Sequence, residues 1–472
     1  MSTQKTAENP AESFRDKIST VDEQGKRIWV YPKKPRGPFY RARTIVSVLL
    51  LLILFGGPFI RINGEPLLLL NVLERKFVIF GQVFWPQDFY LFGLAMITLV
   101  IFIVLFTVVY GRLFCGWVCP QTIFMEMVFR KIEYWIEGDY TAQRALDRRP
   151  WNQDKIIKKT SKHLIFFAIS FLIANTFLAY IIGSEELIKI VTDSPSNHLG
   201  GLAAITLFSG AFYFVFSHLR EQVCISICPY GRLQGVLLDR KSVVVAYDYK
   251  RGESRGKLRK GEDRSEVGKG DCIDCHQCVH VCPTGIDIRN GTQLECVNCT
   301  ACIDACDEIM EKVDLPKGLI RYASEEGIAE GKKLQWTARS IAYSVLLVVL
   351  TGVMVSMLVM RTDVETSILR TPGMLYQEQD NNQISNLYNV KVINKTNQQL
   401  PIQLVLLNEQ GELKMVGNND LSVEPQGTAE GALFLVFDRA DIQQMSTNVE
   451  VGVYSDGELL ETVETSFLGP NK

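Results

Sequence analysis

Long apolar stretches, separated by polar and basic segments, dominate the first three quarters of the chain. Five of them reach the length of about 20 mostly apolar residues that is needed to cross a hydrocarbon core of roughly 30 Å. They are Thr44–Ile62, Phe89–Tyr110, Leu164–Gly183, Leu199–Leu219 and Ser340–Met360. Because runs this long with almost no internal charge are unusual in the core of a soluble protein, the pattern predicts five transmembrane helices.

Beyond about Asp363 the long apolar runs give way to a shorter pattern. LYNVKVIN and PIQLVLLN alternate or run with β-branched residues, and the glycine-containing NEQGEL and YSDGELL are suited to hairpin turns. The pattern predicts a small antiparallel β-sandwich. This tail contains neither Cys nor His, so we expect it to be a docking or structural module.

Positive charge predicts the orientation, because cytoplasmic loops retain Lys and Arg. These residues number 10 up to Arg43, 10 in 111–162 and 19 in 220–339, but only 3 in 61–87 and 1 in 184–198. The N-terminus and the three basic segments are therefore expected in the cytoplasm, and the C-terminal portion outside. The polar opening MSTQKTAENPAESFRDK lacks the apolar core of a signal peptide and is expected to be a mobile tail.

Composition narrows the possible partners and points to metal. The net charge is only −2, so nothing in the balance suggests a nucleic-acid partner. All 12 cysteines lie between Cys115 and Cys306, and eight of them fall between 272 and 306. Cysteines at metal-ligand spacing in a reducing compartment indicate metal binding rather than disulfides.

Two runs of four cysteines fill this window. DCIDCHQCVHVCPTG (271–285) has the spacing C-x2-C-x2-C-x3-C-P, and LECVNCTACIDACDE (294–308) repeats it with Asp307 in place of the proline. In this bacterial ferredoxin pattern, three thiolates of each run bind one cubane and the fourth reaches the other. The runs predict two [4Fe–4S] clusters, one held by Cys272, Cys275, Cys278 and Cys306, the other by Cys296, Cys299, Cys302 and Cys282.

Zinc and haem are the weaker alternatives for this window. Structural zinc takes four ligands in two separated pairs, not two runs of four. The string from Cys272 to His276 matches the C-x-x-C-H haem attachment motif. Haem is attached outside the cytoplasm, however, and the first run already needs Cys275. His276 and His280 are expected to face solvent or to lie beside a cluster without binding it.

Four further cysteines belong to an internal repeat of two spans followed by C-x3-C-P. The copies are GRLFCGWVCPQ, with Cys115 and Cys119, and EQVCISICPYGRLQG, with Cys224 and Cys228. Placed at i and i+4 of a helix, or at helix ends set by the prolines, these thiols could form a soft four-sulfur site. Such a site suits Cu(I), an iron–sulfur centre or zinc, or serves as a reversible dithiol. The alternative is that they are small apolar residues of membrane helices.

Several residues beside these motifs could tune such a site, although ordinary interface residues of the same types are more common. They are Arg112, Arg232, Glu126, Glu221 and His218.

The patterns together predict a five-helix transmembrane bundle with an inserted cytoplasmic α+β dicluster ferredoxin-like domain and a C-terminal all-β sandwich. The predicted segments are an N-terminal arm (1–43), a four-span region with both C-x3-C-P motifs (44–240), the ferredoxin-like domain (241–337), a fifth transmembrane helix (338–361) and the exported β domain (362–472).

In combination, the motifs resemble the polyferredoxin-like accessory proteins of cbb3-type cytochrome c oxidase, the CcoG, FixG and RdxA type. The elements are RKFVIFGQVFWPQDF, GRLFCGWVCPQT, CPYGRLQ, the two cysteine runs and the β tail, which cover nearly the whole chain. Membrane ferredoxins of nitrate and nitrous oxide respiration share the C-x3-C-P repeats and a double cluster, whereas WPQDF and the tail favour the oxidase group. The resemblance implies a bacterial cytoplasmic (inner) membrane protein whose periplasmic tail is immunoglobulin-like.

The resemblance further implies a role in oxidase assembly, with reduction of Cu(II) to Cu(I) by an oxidoreductase of the cupric reductase type. Cys115, Cys119, Cys224 and Cys228 would then be the catalytic, copper-facing or additional redox site. Expected partners are membrane lipid, copper ion, a copper chaperone or transporter, oxidase assembly factors and an electron donor. Two other functions stay open: an electron-transfer subunit between quinol and a respiratory reductase, and a non-enzymatic assembly scaffold.

Overall fold

A computed structural model of the protein describes residues 20–470, except 23, 63, 73–75, 85–87, 260–263, 265, 332–337, 374, 380–381, 397, 408–410, 418–420 and 443. The opening segment predicted to be a mobile tail lies outside the described residues. The chain forms two compact units. The first is built from Met1–Pro58 and Leu94–Thr351, and the second from Phe59–Gly93 and Gly352–Lys472.

Helices build most of the first unit and strands most of the second. The α-helices are α1 Pro38–Gly56, α2 Phe89–Tyr110, α3 Leu113–Trp117, α4 Pro120–Thr122, α5 Arg130–Ile136, α6 Tyr140–Arg148, α7 Gln153–Ile182, α8 Ser184–Thr192, α9 Leu199–Phe214, α10 Pro229–Leu237, α11 Tyr249–Gly252, α12 Gln277–His280, α13 Ala301–Lys312, α14 Glu325–Glu330 and α15 Ala338–Val359. Turns of π-helix cover Ile123–Phe129, Val215–Leu219 and Val223–Ile227, and 3-10 turns cover Gly57–Phe59, Pro195–His198 and Ile288–Asn290. The strands are β1 Arg61–Ile62, β2 Glu65–Pro66, β3 Leu68–Asn71, β4 Lys76–Ile79, β5 Gln82–Phe84, β6 Val244–Tyr247, β7 Ile320–Ala323, β8 Val364–Arg370, β9 Gln377–Gln379, β10 Gln383–Asn394, β11 Leu400–Leu406, β12 Gly411–Met415, β13 Leu421–Val423, β14 Thr428–Asp438, β15 Ser446–Ser455 and β16 Glu458–Leu468.

Five helices in the described part of the chain are long and apolar enough to cross a membrane, as predicted. They cover Pro38–Phe59, Phe89–Tyr110, Gln153–Ile182, Pro195–Leu219 and Ser340–Val359. The first and third begin earlier than predicted, at Pro38 instead of Thr44 and at Gln153 instead of Leu164. Both early starts have a helix-initiating signal, since proline occupies the first turn of α1 and the Asn152 side chain caps α7.

The two C-x3-C-P motifs share a local conformation. In each copy a proline follows the second cysteine and begins a helix, Pro120 in α4 and Pro229 in α10. Cys119 and Cys228 precede these prolines with ψ of 124° and 114°. This is the extended conformation that a proline favours in the residue before it. The sequence repeat is therefore also a structural repeat.

The two cysteine runs lie in a compact region of helices and strands. Helix α12 packs against α13, and α13 packs against β7 of the antiparallel pair β6–β7. The apolar core of the region includes Val245, Ile286, Ile303, Met310 and Ile320 together with several of the cysteines. This mixture of helix and strand agrees with the predicted α+β character of the ferredoxin-like insert.

The arm before α1 packs along the first unit from residue 20 onward. The backbone N–H of Lys33 donates to the carbonyl of His280 at 2.7 Å. The guanidinium of Arg27 pairs with Glu221 at 2.7 Å. The arm thus links the cysteine region to the end of the fourth span.

The tail forms a β-sandwich of two antiparallel sheets. One sheet has the order β12-β14-β10-β8, with β9 also paired to β10, and the other the order β13-β11-β15-β16. Alternate residues of the long strands face one shared core, including Tyr388, Val390 and Val392 on β10 and Val451 and Val453 on β15. The predicted antiparallel sandwich is confirmed.

One of the two predicted hairpin turns is confirmed, and the other falls partly outside the described residues. YSDGELL joins β15 to β16 through Asp456 and Gly457, whose φ values of 48° and 83° suit a tight hairpin. Residues 408–410 of NEQGEL lie outside the described residues, and the strands on either side join different sheets, since β11 pairs with β13 and β15 whereas β12 pairs with β14. A glycine marks the position of a turn, but the sheet that the next strand joins depends on which face of that strand is buried.

The segment between the first two spans belongs to the same unit as the tail. Strands β3, β4 and β5 form a small antiparallel sheet around Val78 and Val83. Asp88, which belongs to the WPQDF stretch, is 3% exposed. Its carboxylate pairs with Arg361 at 2.7 Å and with Lys395 at 3.0 Å, and so ties the segment to the tail.

Candidate metal centres

The first cysteine run and the last cysteine of the second run line one cavity. Cys272, Cys275, Cys278 and Cys306 border this cavity, together with apolar side chains such as Met310. Cys306 reaches this cavity from α13. The structure therefore brings together the four thiols that the spacing assigns to the first cluster.

A second cavity adjoins the first, since Cys278 lines both. It is also lined by Cys282, Cys296, Cys299 and Cys302. The fourth cysteine of each run thus lies with the first three of the other run. This exchange is the one that the ferredoxin pattern predicts.

Left-handed residues shape the turn between the cysteines in both runs. Asp274 and His276 have φ of 54°, and the equivalent Asn298 and Thr300 have φ of 52° and 63°. Residues in this conformation turn the backbone sharply, so that thiols with two residues between them face one cavity. Asp and Asn tolerate it better than most residues. The matched positions show that the two runs fold alike.

Burial and backbone donors set the electrostatics of the thiols. Burial raises the pKa of Cys296 to about 12 and also raises that of Cys282. At Cys282 the N–H groups of Thr284, Gly285 and Ile286 donate to the sulfur and oppose this rise. Such thiols are neutral until a metal replaces their protons. Thiol-only donor sets, apolar walls and N–H donors to sulfur fit two cubane iron–sulfur clusters.

The two histidines lie at the edges of this region. His276 is about half exposed (49%) and contacts Arg289 at 2.8 Å and Asp274 at 3.3 Å. His280 stacks on the ring of Tyr140, with ring centroids 5.9 Å apart. His276 lines the first cavity next to Cys275, and its ring is engaged by charged neighbours.

The shared ligand sets predict a non-additive loss of iron. Cys272→Ser and Cys306→Ser alter different runs but the same cavity, so each variant should lose half of the cluster iron and the double variant should lose no more. Cys272→Ser combined with Cys296→Ser should lose nearly all of it. Iron analysis and electron paramagnetic resonance of the reduced proteins measure this. Complete iron loss from the Cys272/Cys306 double variant would contradict the assignment.

Cys115 and Cys224, one cysteine from each paired motif, lie beside the second cavity. Cys115 and Cys224 pack against the apolar cluster around Val297. Burial, and after it the nearby Cys119, Cys115 and Cys228, raise the pKa of Cys224 to about 12. All four thiols are therefore close enough to influence one another, which neither motif could achieve alone.

Two arginines connect the paired motifs to the second cysteine run. Buried Arg43 donates from Nε to the carbonyl of Gly116 at 2.9 Å and from Nη1 to the carbonyl of Cys299 at 2.8 Å. Arg112 donates to the carbonyl of Leu294. Each guanidinium satisfies backbone carbonyls that meet between the membrane helices and the cluster region.

Glycine permits a close approach between the first C-x3-C-P motif and the second cysteine run. A Cβ at Gly116 would lie 2.5 Å from the carbonyl oxygen of Asn298 and 2.7 Å from that of Val297. Any side chain at position 116 would force the first motif away from the second cysteine run. The first C-x3-C-P motif therefore rests directly on the loop that carries Cys299.

The four membrane-edge thiols are close together but do not form a finished single-ion site. Among the described residues, no three His, Cys, Asp or Glu side chains are arranged to hold one metal ion. A cubane is larger than a single ion, so its thiols surround a cavity. Cys115 instead accepts a hydrogen bond from Nε2 of Gln234 at 3.4 Å. Binding of one ion at this site requires the thiols to move together.

Charged residues beside the motifs form a buried network. Glu126 pairs with Arg130 four residues later. Glu221, which has no exposed surface, pairs with Arg27 at 2.7 Å and lies 3.8 Å from Arg130. These ion pairs fix the segment that leads to Cys224.

Not every neighbour singled out from the sequence takes part. Arg232 and His218 are exposed. Arg43 and Gln234, which contact the motifs directly, were missed by the sequence reasoning. Arg43 stands at the edge of an apolar stretch, where a positive charge ordinarily marks only the membrane boundary, and no local signal distinguishes it.

Three family models match the chain. A 4Fe-4S dicluster domain matches residues 219–325, which contain both cysteine runs and the second C-x3-C-P motif. A 4Fe-4S binding domain matches residues 92–139, which contain the first C-x3-C-P motif. The model described as an IG-like fold at the C-terminal of FixG matches residues 354–470.

Known proteins resemble the chain over most of its length. It is 32% identical over 424 residues to protein RdxA of Cereibacter sphaeroides, covering 87% of this chain and 89% of RdxA. It is 37% identical over 309 residues to nitrogen fixation protein FixG of Rhizobium meliloti, covering 63% of this chain and 58% of FixG. The crystal structure of a FixG-related protein from Vibrio parahaemolyticus matches 23% of this chain and 97% of its own, at 21% identity and a TM-score of 0.20.

Two thiol-lined cavities in a 4Fe–4S dicluster domain, within a chain that has five membrane-length helices, define an iron–sulfur electron-transfer protein of the membrane. Its tail is an immunoglobulin-like β domain. The identity with RdxA extends over nearly all of that protein. The chain belongs to the FixG/RdxA family.

Proposed function

We propose that this protein is a cupric reductase that reduces Cu(II) to Cu(I) for the assembly of a cbb3-type cytochrome c oxidase. The observation that supports this most directly is that Cys115 and Cys224, one from each paired motif, lie beside the second cluster cavity, with Cys119 and Cys228 near enough to influence Cys224 electrostatically. The resemblance of the motifs to oxidase accessory proteins supports the role in assembly.

The chemistry of the four thiols suits copper as the substrate. Soft thiolates select Cu(I). Iron–sulfur clusters supply single electrons, and Cu(II) needs one electron to become Cu(I). The thiols retain the product until a copper chaperone or transporter accepts it, and a separate electron donor restores the reduced protein. By bonding to both Gly116 and Cys299, Arg43 keeps the copper-facing motif against the second cysteine run.

The test uses the purified full-length holoprotein, reduced with dithionite and freed of excess reductant. Added Cu(II) should reoxidise the clusters and yield Cu(I) in proportion to the electrons stored, which a Cu(I)-specific chelator measures. A cluster absorbance that stays unchanged on addition of copper would rule out the reductase. Rapid reduction by a quinol would favour the respiratory subunit, and clusters that resist biological reductants would favour the scaffold.

A further iron–sulfur cluster at the four membrane-edge cysteines is the second candidate. The 4Fe-4S binding domain that matches residues 92–139 contains Cys115 and Cys119, which supports this alternative. The two candidates differ in iron content, because a third cluster would add half as much iron again as two clusters hold. Iron analysis of the wild-type protein therefore separates them before any copper is added.

We also propose that the N-terminus and the clusters face the cytoplasm of a bacterial cell and that the immunoglobulin-like domain faces the periplasm. The excess of Lys and Arg in three of the loops supports this orientation. The pairing of Asp88 with Arg361 and Lys395 supports it as well, since the loop after the first span and the segment after the fifth then lie on the same side.

Protease accessibility tests the orientation. In intact spheroplasts, an added protease should remove a tag placed at the C-terminus and spare a tag placed at the N-terminus, because the membrane shields only the cytoplasmic one. After lysis both tags should be removed. The opposite pattern in intact spheroplasts would overturn the proposed orientation. It would not bear on whether the protein reduces Cu(II).

A further inference from the structure

A basic cleft lies at the N-terminal end of the first membrane helix. Its lining comes from the arm, from the first two turns of α1 and from α5, and consists of Lys34, Tyr40, Arg41, Thr44, Ile45 and Lys131. The cleft is open on its outer side and contains about 910 Å³ of empty space. Nothing in the cluster chemistry or the copper proposal uses it.

The cleft concentrates positive charge that the described residues do not neutralise. In the described part of the chain, Lys34, Arg41 and Lys131 have no carboxylate within ion-pair distance. Lys131 instead donates to the hydroxyl of Thr44 at 3.4 Å and lies 5.5 Å from the centre of the Tyr40 ring. Burial lowers the pKa of Lys131 and the charge of Lys34 lowers it further.

Carboxylates close to the cleft already have other partners. Asp139 accepts the backbone N–H groups of Lys34 and Tyr140, both at 2.8 Å. Glu126 pairs with Arg130. Three cations gathered around one opening therefore favour the binding of an anion there.

An apolar stripe leads from the cleft along the outer face of α1. Ile45, Leu49 and Leu52 follow Arg41 at intervals of four, four and three residues, the spacing of one helix face. Their exposed fractions are 70%, 58% and 67%. A positive opening that continues directly into lipid-facing surface matches a molecule with an anionic head and hydrocarbon tails better than it matches a small soluble anion.

We propose that the cleft binds the phosphate headgroup of an anionic phospholipid whose acyl chains lie along α1. The phosphate sits among Lys34, Arg41 and Lys131, and the chains cover the stripe that begins at Ile45. Basic pockets at the ends of membrane helices bind acidic headgroups in this manner. The lipid anchors three elements at once, the arm, α1 and α5.

The test measures lipid binding to the full-length holoprotein in detergent by native mass spectrometry. Phosphatidylglycerol should bind more tightly than phosphatidylcholine with the same acyl chains. A variant with Lys34→Gln, Arg41→Gln and Lys131→Gln should bind phosphatidylglycerol on the order of 100-fold more weakly, since each basic residue contributes about fivefold. Phosphatidylcholine binding should not change.

A matched control removes three positive charges elsewhere. Lys158, Lys312 and Lys317 each pair with a carboxylate outside the cleft, so their replacement by glutamine should leave phosphatidylglycerol binding unchanged. Equal binding of the two lipids, or unchanged binding in the cleft variant, would overturn the proposal. Displacement of the lipid by excess inorganic phosphate would do so too, because it would identify a site for a free anion.

Single variants protect the test against misfolding. If the triple variant loses its cluster absorbance, Lys34→Gln and Arg41→Gln can be measured alone, because both side chains are exposed. Each should weaken phosphatidylglycerol binding about fivefold with the clusters intact. Wild-type affinity in both single variants would also overturn the proposal.

Discussion

Replacement of Cys115 and Cys224 by serine is expected to abolish Cu(II) reduction while both cubane clusters remain. Serine nearly preserves the shape of cysteine, but its hydroxyl is not a soft ligand, so each motif loses one sulfur for Cu(I). Loss of a group that merely orients a metal ligand already costs about 10- to 100-fold. Loss of two direct ligands should therefore lower the rate of Cu(I) formation by at least about 100-fold, as measured with a Cu(I) chelator on the reduced protein.

The chain offers a matched control within the same motifs. Val118 and Ser226 lie between the two cysteines of the first and second copy, and both are exposed. Alanine at these two positions changes the motifs without removing sulfur, so copper reduction should be unchanged. Wild-type Cu(I) formation in the serine variant would contradict the proposed copper site. A parallel loss of iron and visible absorbance would instead assign Cys115 and Cys224 to a third cluster.

The grouping of the eight cysteines in the two runs could be predicted because the turns that carry it are local. Each C-x2-C segment turns through left-handed residues, Asp274 in the first run and Asn298 in the second, and short spacing alone favours such turns. The exchange of Cys282 and Cys306 between the cavities is a long-range feature. It was still predictable, because two identical spacings fold into two equivalent halves.

The surroundings of the membrane-edge cysteines could not be predicted in the same way. Arg43 and Arg27 are charged residues in a basic segment, and a hydropathy pattern assigns such residues to solvent. Their actual partners, the carbonyl of Cys299 and the carboxylate of Glu221, lie about 200 residues or more away along the chain. Burial of these charges depends on how distant segments pack, which a single sequence does not encode locally.

The β tail shows the same division between local and distant information. Alternation of apolar residues predicted the strands and their inward faces, such as Val390 and Val392 on β10. The YSDGELL turn was also predictable, since its two strands are adjacent in sequence and in the sheet. The different sheets that β11 and β12 join were not predictable, because membership of a sheet is decided by pairing with strands far along the chain.

Glu221 has the environment of a buried counter-ion. Its side chain is fully buried, with one oxygen 2.7 Å from Arg27 and the other 3.8 Å from Arg130 and 3.9 Å from Arg220. The carboxylate thus lies among three guanidinium groups from the arm, from the helix after the first motif and from the end of the fourth span. Removal of its charge leaves buried positive groups with too little compensation.

Glu221→Gln is therefore expected to destabilise the first unit by about 3–5 kcal/mol, the usual cost of breaking a buried ion pair. Glutamine keeps the size and an acceptor oxygen, so the loss reflects charge and not packing. The melting temperature of the purified protein should fall by on the order of 10 °C. Glu311→Gln is the control, because Glu311 pairs with Lys317 on the surface and is 69% exposed, where such a pair contributes at most about 1 kcal/mol. Equal melting temperatures for Glu221→Gln and the wild type would contradict this role. They would mean that the three arginines do not need the charge of this carboxylate in the folded protein, and that other contacts hold the segment before Cys224 in place.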